Sequence, residues 1–254
     1  MATNGISRTK ATMQGLGLKH VSLVLSQLIQ EAETHNYTYR EFLDRLMDHE
    51  LEKRNEKRKR KNLSGAHFPP NPKPIDEFDT AELDSGITPT QIMQLKDLAW
   101  VDSCTNMLFL GPPGLGKTML AVGLGLLAID EGYTVCFERM SSLMSLIEQE
   151  KTNRKAAFRL RRINKCQVLI IDEIGFLPIT RDQANAFFTL VSNLYERTSI
   201  IITSNKDVSE WAELLGDRVL ATALLDRFLY NARGFSLKGQ SYRMKHQHKE
   251  LPSP

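Results

Sequence analysis

The sequence has little cysteine, and what it has is scattered: Cys104, Cys136 and Cys166 form no CxxC pair and stand near no histidine pair. That spacing argues against a disulfide framework or a zinc site, and reads as three small buried thiols in a reducing compartment. No apolar run approaches the length that crosses a bilayer, so no membrane association is expected. The opening stretch MATNGISRTKATMQGLG has no apolar core followed by a small-residue cleavage site, so no export is expected either; the expected location is the cytoplasm. With 254 residues, 41% hydrophobic and 25% charged, the chain has an ordinary globular make-up and room for one or two domains. One local absence says more. Residues 151–165, KTNRKAAFRLRRINK, hold seven basic side chains and no acidic one. The net charge is only +3, so this run is a local basic surface of the kind that meets anionic partners.

Residues 18–64 read as helical. Leu18, Val21, Leu25, Leu28 and Ile29 fall on one face, and Phe42, Leu43, Leu46 and Met47 form a second apolar stripe. Thr38 with Glu41 three residues on has the pattern of a capping box. The stripe gives way to the charged run KRNEKRKRK at 53–61, then to SGAHFPPNPKPIDEF, whose Pro and Gly content predicts a linker. Residues 1–65, with twelve Lys/Arg against eight Asp/Glu, are therefore a small helical N-terminal domain for partner or DNA contact. Residues 66–80 are the linker, and 81–254 are the larger domain. There, MLFL (107–110), TVCFE (134–138), VLIID (168–172), SIIITS (199–204) and GFSL (234–237) alternate with helical patterns, including 183–196 and 208–215. Apolar strands separated by helices predict an α/β fold with a parallel sheet covered on both faces.

GPPGLGKT, residues 111–118, lies between strand MLFL and helix MLAVGLGLLAI, the setting of a P-loop. Gly111, Gly114 and Gly116 let consecutive N–H groups turn inward on an anion, and the helix N-terminus adds its positive dipole end. Pro112, Pro113 and Leu115 complete the loop and Met119 follows it into the helix. Lys117 is placed for the β- and γ-phosphates and the Thr118 hydroxyl for Mg²⁺. ATP or GTP binding follows. VLIIDE ends a buried strand in two acids: Asp172 suits Mg²⁺, and Glu173 suits a general base that polarises an attacking water. A solvated acidic turn is the plain alternative, but four apolar residues lead directly into these acids. SIIITSN ends in a polar tip. If its strand lies between the other two, Asn205 points at the γ-phosphate. Arg218, Arg227 and Arg243 follow, any of which could neutralise transition-state charge from a neighbouring subunit; without a family pattern, each reads as structural.

The order GPPGLGKT, VLIIDE, IIITSN and LLDRF resembles the AAA+ ATPases, in particular the clade of replication initiators and helicase loaders. Over nearly its whole length the chain is similar to the IstB-like family, ATPase helpers of transposition encoded beside an IstA transposase. The resemblance implies that Asn205 is the sensor-1 residue, Arg227 the trans-acting arginine finger with Arg218 a second candidate, and Arg243 a sensor-2-like residue. Eleven residues follow Arg243, so no separate helical lid is expected, a departure from the general AAA+ pattern. It also implies a homo-oligomer with ATP at subunit junctions. In that clade a helical insertion before the acidic strand contacts nucleic acid; it corresponds to 139–165 here. Lys151, Arg154, Lys155, Arg159, Arg161 and Arg162 are thus the expected contacts to duplex DNA, salt-sensitive and largely indifferent to sequence.

The leading expectation is an ATP-dependent, DNA-binding assembly factor that recruits or regulates a transposase. A helicase loader of the DnaC type shares every ATPase residue and differs in what residues 1–65 would grip. A metabolite kinase is a third class, opposed by Glu173, Asn205, Arg227 and the 151–165 segment.

Overall fold

The computed structural model describes residues 2–175, 180–211 and 218–242, and the chain divides into two compact units, Met1–Lys61 and Asn62–Pro254. The first is helical: α1 (Ala2–Gly15), α2 (Lys19–His35) and α3 (Tyr39–Ala66), whose last residues belong to the second unit. Helix α1 has no counterpart in the sequence reading. Asn36, left-handed at φ 51°, stops α2. Thr38 and Glu41 then exchange hydrogen bonds, the Thr38 N–H donating to the carboxylate at 2.7 Å and the Glu41 N–H to the hydroxyl at 3.3 Å. Val21, Leu25 and Leu46 are the buried centre, with Leu18, Leu28, Ile29 and Phe42 around them. Leu43 and Met47, predicted on the same stripe, are 55% and 46% exposed. The face of α3 that packs is therefore narrower than its apolar pattern.

In the second unit, β2 (Asn106–Leu110), β3 (Val135–Arg139), β4 (Val168–Ile174), β5 (Ser199–Ser204) and β6 (Ala232–Ser236) form one parallel sheet in the order β3-β4-β5-β2-β6. Strand periodicity sorts their side chains into two cores. Met107, Phe109, Ile170 and Ile201 point into one; Leu108, Leu169, Ile171, Ile200 and Ile202 point into the other. Helix α6 (Lys117–Asp130) covers the first face together with α4 (Pro89–Lys96) and α5 (Ala99–Asp102). The second face carries α7 (Met140–Gln149), α8 (Arg154–Ile163), α9 (Arg181–Leu194) and α10 (Arg218–Leu229). The result is a three-layer α/β domain, as the alternation of apolar strands and helices required. Residues 208–215 yield a short 3₁₀ turn at Val208–Glu210, and 212–217 lie outside the described residues. Cys136 and Cys166 are buried, while Cys104 is partly exposed.

The segment predicted as a linker is part of this unit's packing. Ala66 and Ile75 are 0% and 3% exposed, and Phe68 and Phe78 lie against the same core. Gly123 of α6 makes that approach possible: a Cβ there would stand 2.8 Å from the Ile75 backbone. A two-stranded antiparallel ribbon completes the unit. β1 (Leu83–Ser85) pairs with β7 (Lys238–Gly239), Leu83 opposite Gly239.

Candidate active site

Three strand ends converge at the C-terminal edge of the sheet, where parallel sheets of this kind hold their ligands. β2 runs into the glycine loop, β4 carries Asp172 and Glu173, and β5 ends beside Asn205. In the sheet β5 lies between β4 and β2, the arrangement on which the placement of Asn205 depended. A cavity of about 520 Å³ opens there. Pro113, Gly114, Leu115, Gly116, Lys117, Thr118 and Met119 line it together with Glu173 and Asn205. Gly111 and Pro112 belong to the loop but not to the cavity wall, and Asp172 lies beneath it, reached through Thr118.

Gly116 caps α6 with φ 82°, a left-handed conformation that a side chain would strain, and a Cβ would also meet the Phe78 ring at 2.8 Å. Nζ of Lys117 donates to the carbonyls of Gly111 and Pro112 at 2.6 and 2.8 Å, which holds the ammonium against the loop. The Thr118 hydroxyl donates to Oδ1 of Asp172 at 2.8 Å, and the Thr203 hydroxyl donates to the same oxygen at 2.5 Å. Asp172 is 2% exposed, and among the described residues no cation pairs with it. A buried carboxylate offset only by hydroxyls is costly, and a divalent cation beside it would remove that cost. Among the described residues no three His, Cys, Asp or Glu side chains come together. A cation at Thr118 and Asp172 would therefore draw its remaining ligands from water and phosphate oxygens, which is the habit of Mg²⁺.

Glu173 sits on a break in the ladder. The β4–β5 register shifts between Ile171 and Ile174, and Glu173 has φ 63°. A left-handed glutamate costs on the order of 1–2 kcal/mol. Its N–H donates to the Thr203 hydroxyl at 3.0 Å, which helps to hold the bulge. The side chain is half exposed at the cavity, with Oε2 3.7 Å from Nε of Arg139. Arg139 escaped the sequence reading. Its signal was a basic residue ending β3 in register with Asp172. Phe78, Leu83 and Tyr242 were also unforeseen; they form an apolar and aromatic part of the wall, suited to the flat face of a base. The chain beyond β6 reaches the loop directly, the Tyr242 N–H donating to the Gly114 carbonyl at 3.0 Å.

The arginines are placed differently. Arg227, on α10, stacks over the Phe188 ring of α9 at 4.4 Å and does not line the cavity. Arg243 and the side chain of Arg218 lie outside the described residues. Of the basic segment, Lys151, Arg154, Lys155 and Arg161 are exposed, with Phe158, 66% exposed, among them. Arg159 is not a surface residue, contrary to the sequence prediction. It is 5% exposed, pairs with Glu138 at 2.5 Å, and donates to the carbonyls of Gly65, Ala66 and Phe137 at 2.7, 3.0 and 2.9 Å. The reason is helical phase: Ala156, Arg159, Leu160 and Ile163 are the buried face of α8. Arg162, half-buried, turns the same way, its guanidinium lying on Gly65 and reaching the Asn62 carbonyl at 3.5 Å. The two arginines thus cover the C-terminal end of α3, where cations are favoured.

Comparison with known proteins follows the same lines. Residues 11–250 match the family described as IstB-like ATP binding protein. The chain is similar to the ATP-binding protein of insertion sequence IS21 from Pseudomonas aeruginosa, 38% identical over 92% of this chain and 88% of the relative. It is also similar to that of insertion sequence IS5376 from Geobacillus stearothermophilus, 40% identical over 87% of each. Among solved structures, the DnaC helicase loader aligns with a TM-score of 0.52 at 18% identity, over 65% of this chain and 96% of the other, a likeness of fold.

Proposed function

The chain belongs to the IstB-like ATP binding protein family, and from that premise we propose that it is an ATP-hydrolysing switch that assembles on duplex DNA and recruits or regulates a transposase. The observation that carries the proposal is the convergence of Lys117, Glu173 and Asn205 on one cavity, in a unit that also bears an exposed, acid-free cationic helix. Lys117 would leave the loop carbonyls for the β- and γ-phosphates, an exchange of neutral acceptors for charged ones. Thr118 and Asp172 would hold Mg²⁺, which supplies charge neutralisation at the phosphates when bound. Glu173 would take the proton of an attacking water, and Asn205, from the strand between, would orient that water. Arg227 stands apart from its own cavity, which supports a role at the site of a neighbouring copy, and a homo-oligomer with ATP at its junctions follows. The cationic face of α8, with Lys151 in the turn before it, would meet DNA through Lys151, Arg154, Lys155 and Arg161, phosphate contacts that position the protein without reading sequence. The insertion-sequence origin of the relatives favours a transposase over a replicative helicase as the partner.

Glu173→Gln tests the core of this. It should keep ATP affinity, lower turnover by about 10²-fold or more, and accumulate the DNA-bound assembly in sedimentation with ATP. Turnover at the wild-type rate would remove Glu173 from the chemistry. An assembly indifferent to DNA and ATP would refute the switch.

A further inference from the structure

We propose that the N-terminal helical unit carries a second contact for the phosphate backbone of duplex DNA, in the groove where the start of α2 meets the charged half of α3. The proposal rests on the DNA-binding reading above. It concerns residues separate from α8.

A cavity of about 380 Å³ lies there, lined by Gly17, Lys19 and His20 on one side and by Glu50, Arg54, Lys57, Arg58 and Lys61 on the other. Five cationic side chains and an imidazole thus face one carboxylate. That carboxylate is engaged internally. Glu50 is 4% exposed; its Oε2 accepts the N–H groups of His20 and Val21, both at 2.8 Å, and its Oε1 accepts Nε of Arg54 at 2.8 Å. Burial alone would raise its pKa, but the Val21 N–H, the Arg54 guanidinium and the His20 N–H together hold it below the ordinary value. Arg54 also donates to the Gly17 carbonyl at 2.7 Å. Glu50 and Arg54 therefore brace the groove, and the other basic groups give it its charge.

The sorting of charge along α3 points to an external anion. Arg54, Lys57, Arg58 and Lys61 follow the i, i+3, i+4, i+7 spacing and share one face. Glu56, the acid within the run, falls on the opposite face and pairs with Lys53 at 3.0 Å. Between Glu50 and Asn62 no side chain of α3 is buried, so apolar packing does not account for this stretch. Like charges at these spacings destabilise an isolated helix, a cost that a polyanion in the groove reverses. The cationic face extends about 10 Å along the helix axis, which fits a linear array of phosphates better than a single one. Among the described residues no Phe, Tyr or Trp ring lines it, and the His20 imidazole is its one ring, so it lacks the succession of aromatic faces on which unpaired bases stack. Duplex DNA is the ligand this chemistry selects.

The test uses the full chain and a mixed-sequence duplex of about 30 base pairs, titrated between 50 and 200 mM salt, the window over which phosphate contacts are most visible. Lys57→Glu/Arg58→Glu should weaken binding about tenfold or more and lower the slope of log affinity against log salt by about 1.8, for two contacts. Lys57→Gln/Arg58→Gln should lower the slope similarly with a smaller loss of affinity, and it guards against a reversal that disturbs the helix. Lys59→Glu, on the opposite face, should leave the slope as in wild type. Wild-type affinity and slope in both double variants, alongside a loss in Arg154→Glu/Arg161→Glu, would overturn this groove while leaving DNA binding by α8 intact. A wild-type chain that binds no duplex would overturn both. Binding to phosphatidylserine vesicles that the double variants abolish, with duplex binding unchanged, would assign the groove to a membrane and overturn the proposal.

Discussion

Replacing Arg159 with methionine should damage the fold rather than the surface proposed to meet DNA. The guanidinium is 6% exposed and its Glu138 partner 10% exposed as side chains, so the substitution leaves a carboxylate buried without its cation. Removing one member of such a pair costs about 3–5 kcal/mol. Three carbonyls also lose a charged donor, two of them at the end of α3. For a unit of this size each kcal/mol moves the melting temperature by about 2–4 °C. Arg159→Met should therefore melt roughly 10 °C below wild type in calorimetry or circular dichroism. Adding Glu138→Leu removes the stranded charge and should restore most of the loss, since well-packed apolar replacements of buried pairs are often neutral. Well below melting, duplex affinity should stay within about twofold of wild type. Arg161→Glu should do the reverse: stability within about 0.5 kcal/mol of wild type, with weaker, less salt-sensitive binding. An Arg159→Met chain that melts like wild type but binds DNA tenfold more weakly would sink the buried-pair account.

Gly123→Ala should lower stability by about 1–3 kcal/mol through overpacking against the Ile75 backbone, despite alanine's better helix propensity. Because Phe78 follows in the same segment, nucleotide affinity should fall too; calorimetric ATP titration checks it, and unchanged values in both would mean the segment yields freely. Glu50 gives a pH signature. Its folded pKa is depressed from the ordinary 4.5, so the stability it contributes is full above that value and is lost as pH falls through the folded one. Glu50→Gln should flatten that acid limb for the N-terminal helices and lower their stability near neutrality; an unchanged acid limb would show that the carboxylate's contacts carry no linkage.

The chemistry-bearing loops were the most legible part of the sequence, because each is a local pattern tied to a strand end. GPPGLGKT and VLIIDE need only their immediate neighbours to make sense, and the five apolar strands were placed to within two residues at every terminus. Legibility failed where distance along the chain hides proximity in space. Arg159 counted as surface charge, since composition cannot show a long side chain crossing from α8 to Glu138 and the end of α3. The Pro-rich stretch looked like a linker because its backbone cannot be helical, yet Ile75 and Phe78 are apolar and find α6. The left-handed turn at Glu173 needed the neighbouring strand to reveal it. Arg139 was invisible until β3 and β4 were side by side.

The β1–β7 ribbon has a consequence for the order in which the domain assembles. Leu83 and Gly239 bracket the whole five-stranded sheet before they pair. Closing so long a loop carries an entropic cost that local helices do not share and that the β2–β6 pairing carries almost in full. Leu83 and Tyr242 both wall the cavity, and Tyr242 holds the Gly114 carbonyl. The nucleotide pocket is therefore expected to be completed late, together with the β2–β6 edge of the sheet and after the local helices, and ATP uptake followed during refolding would report that closing step.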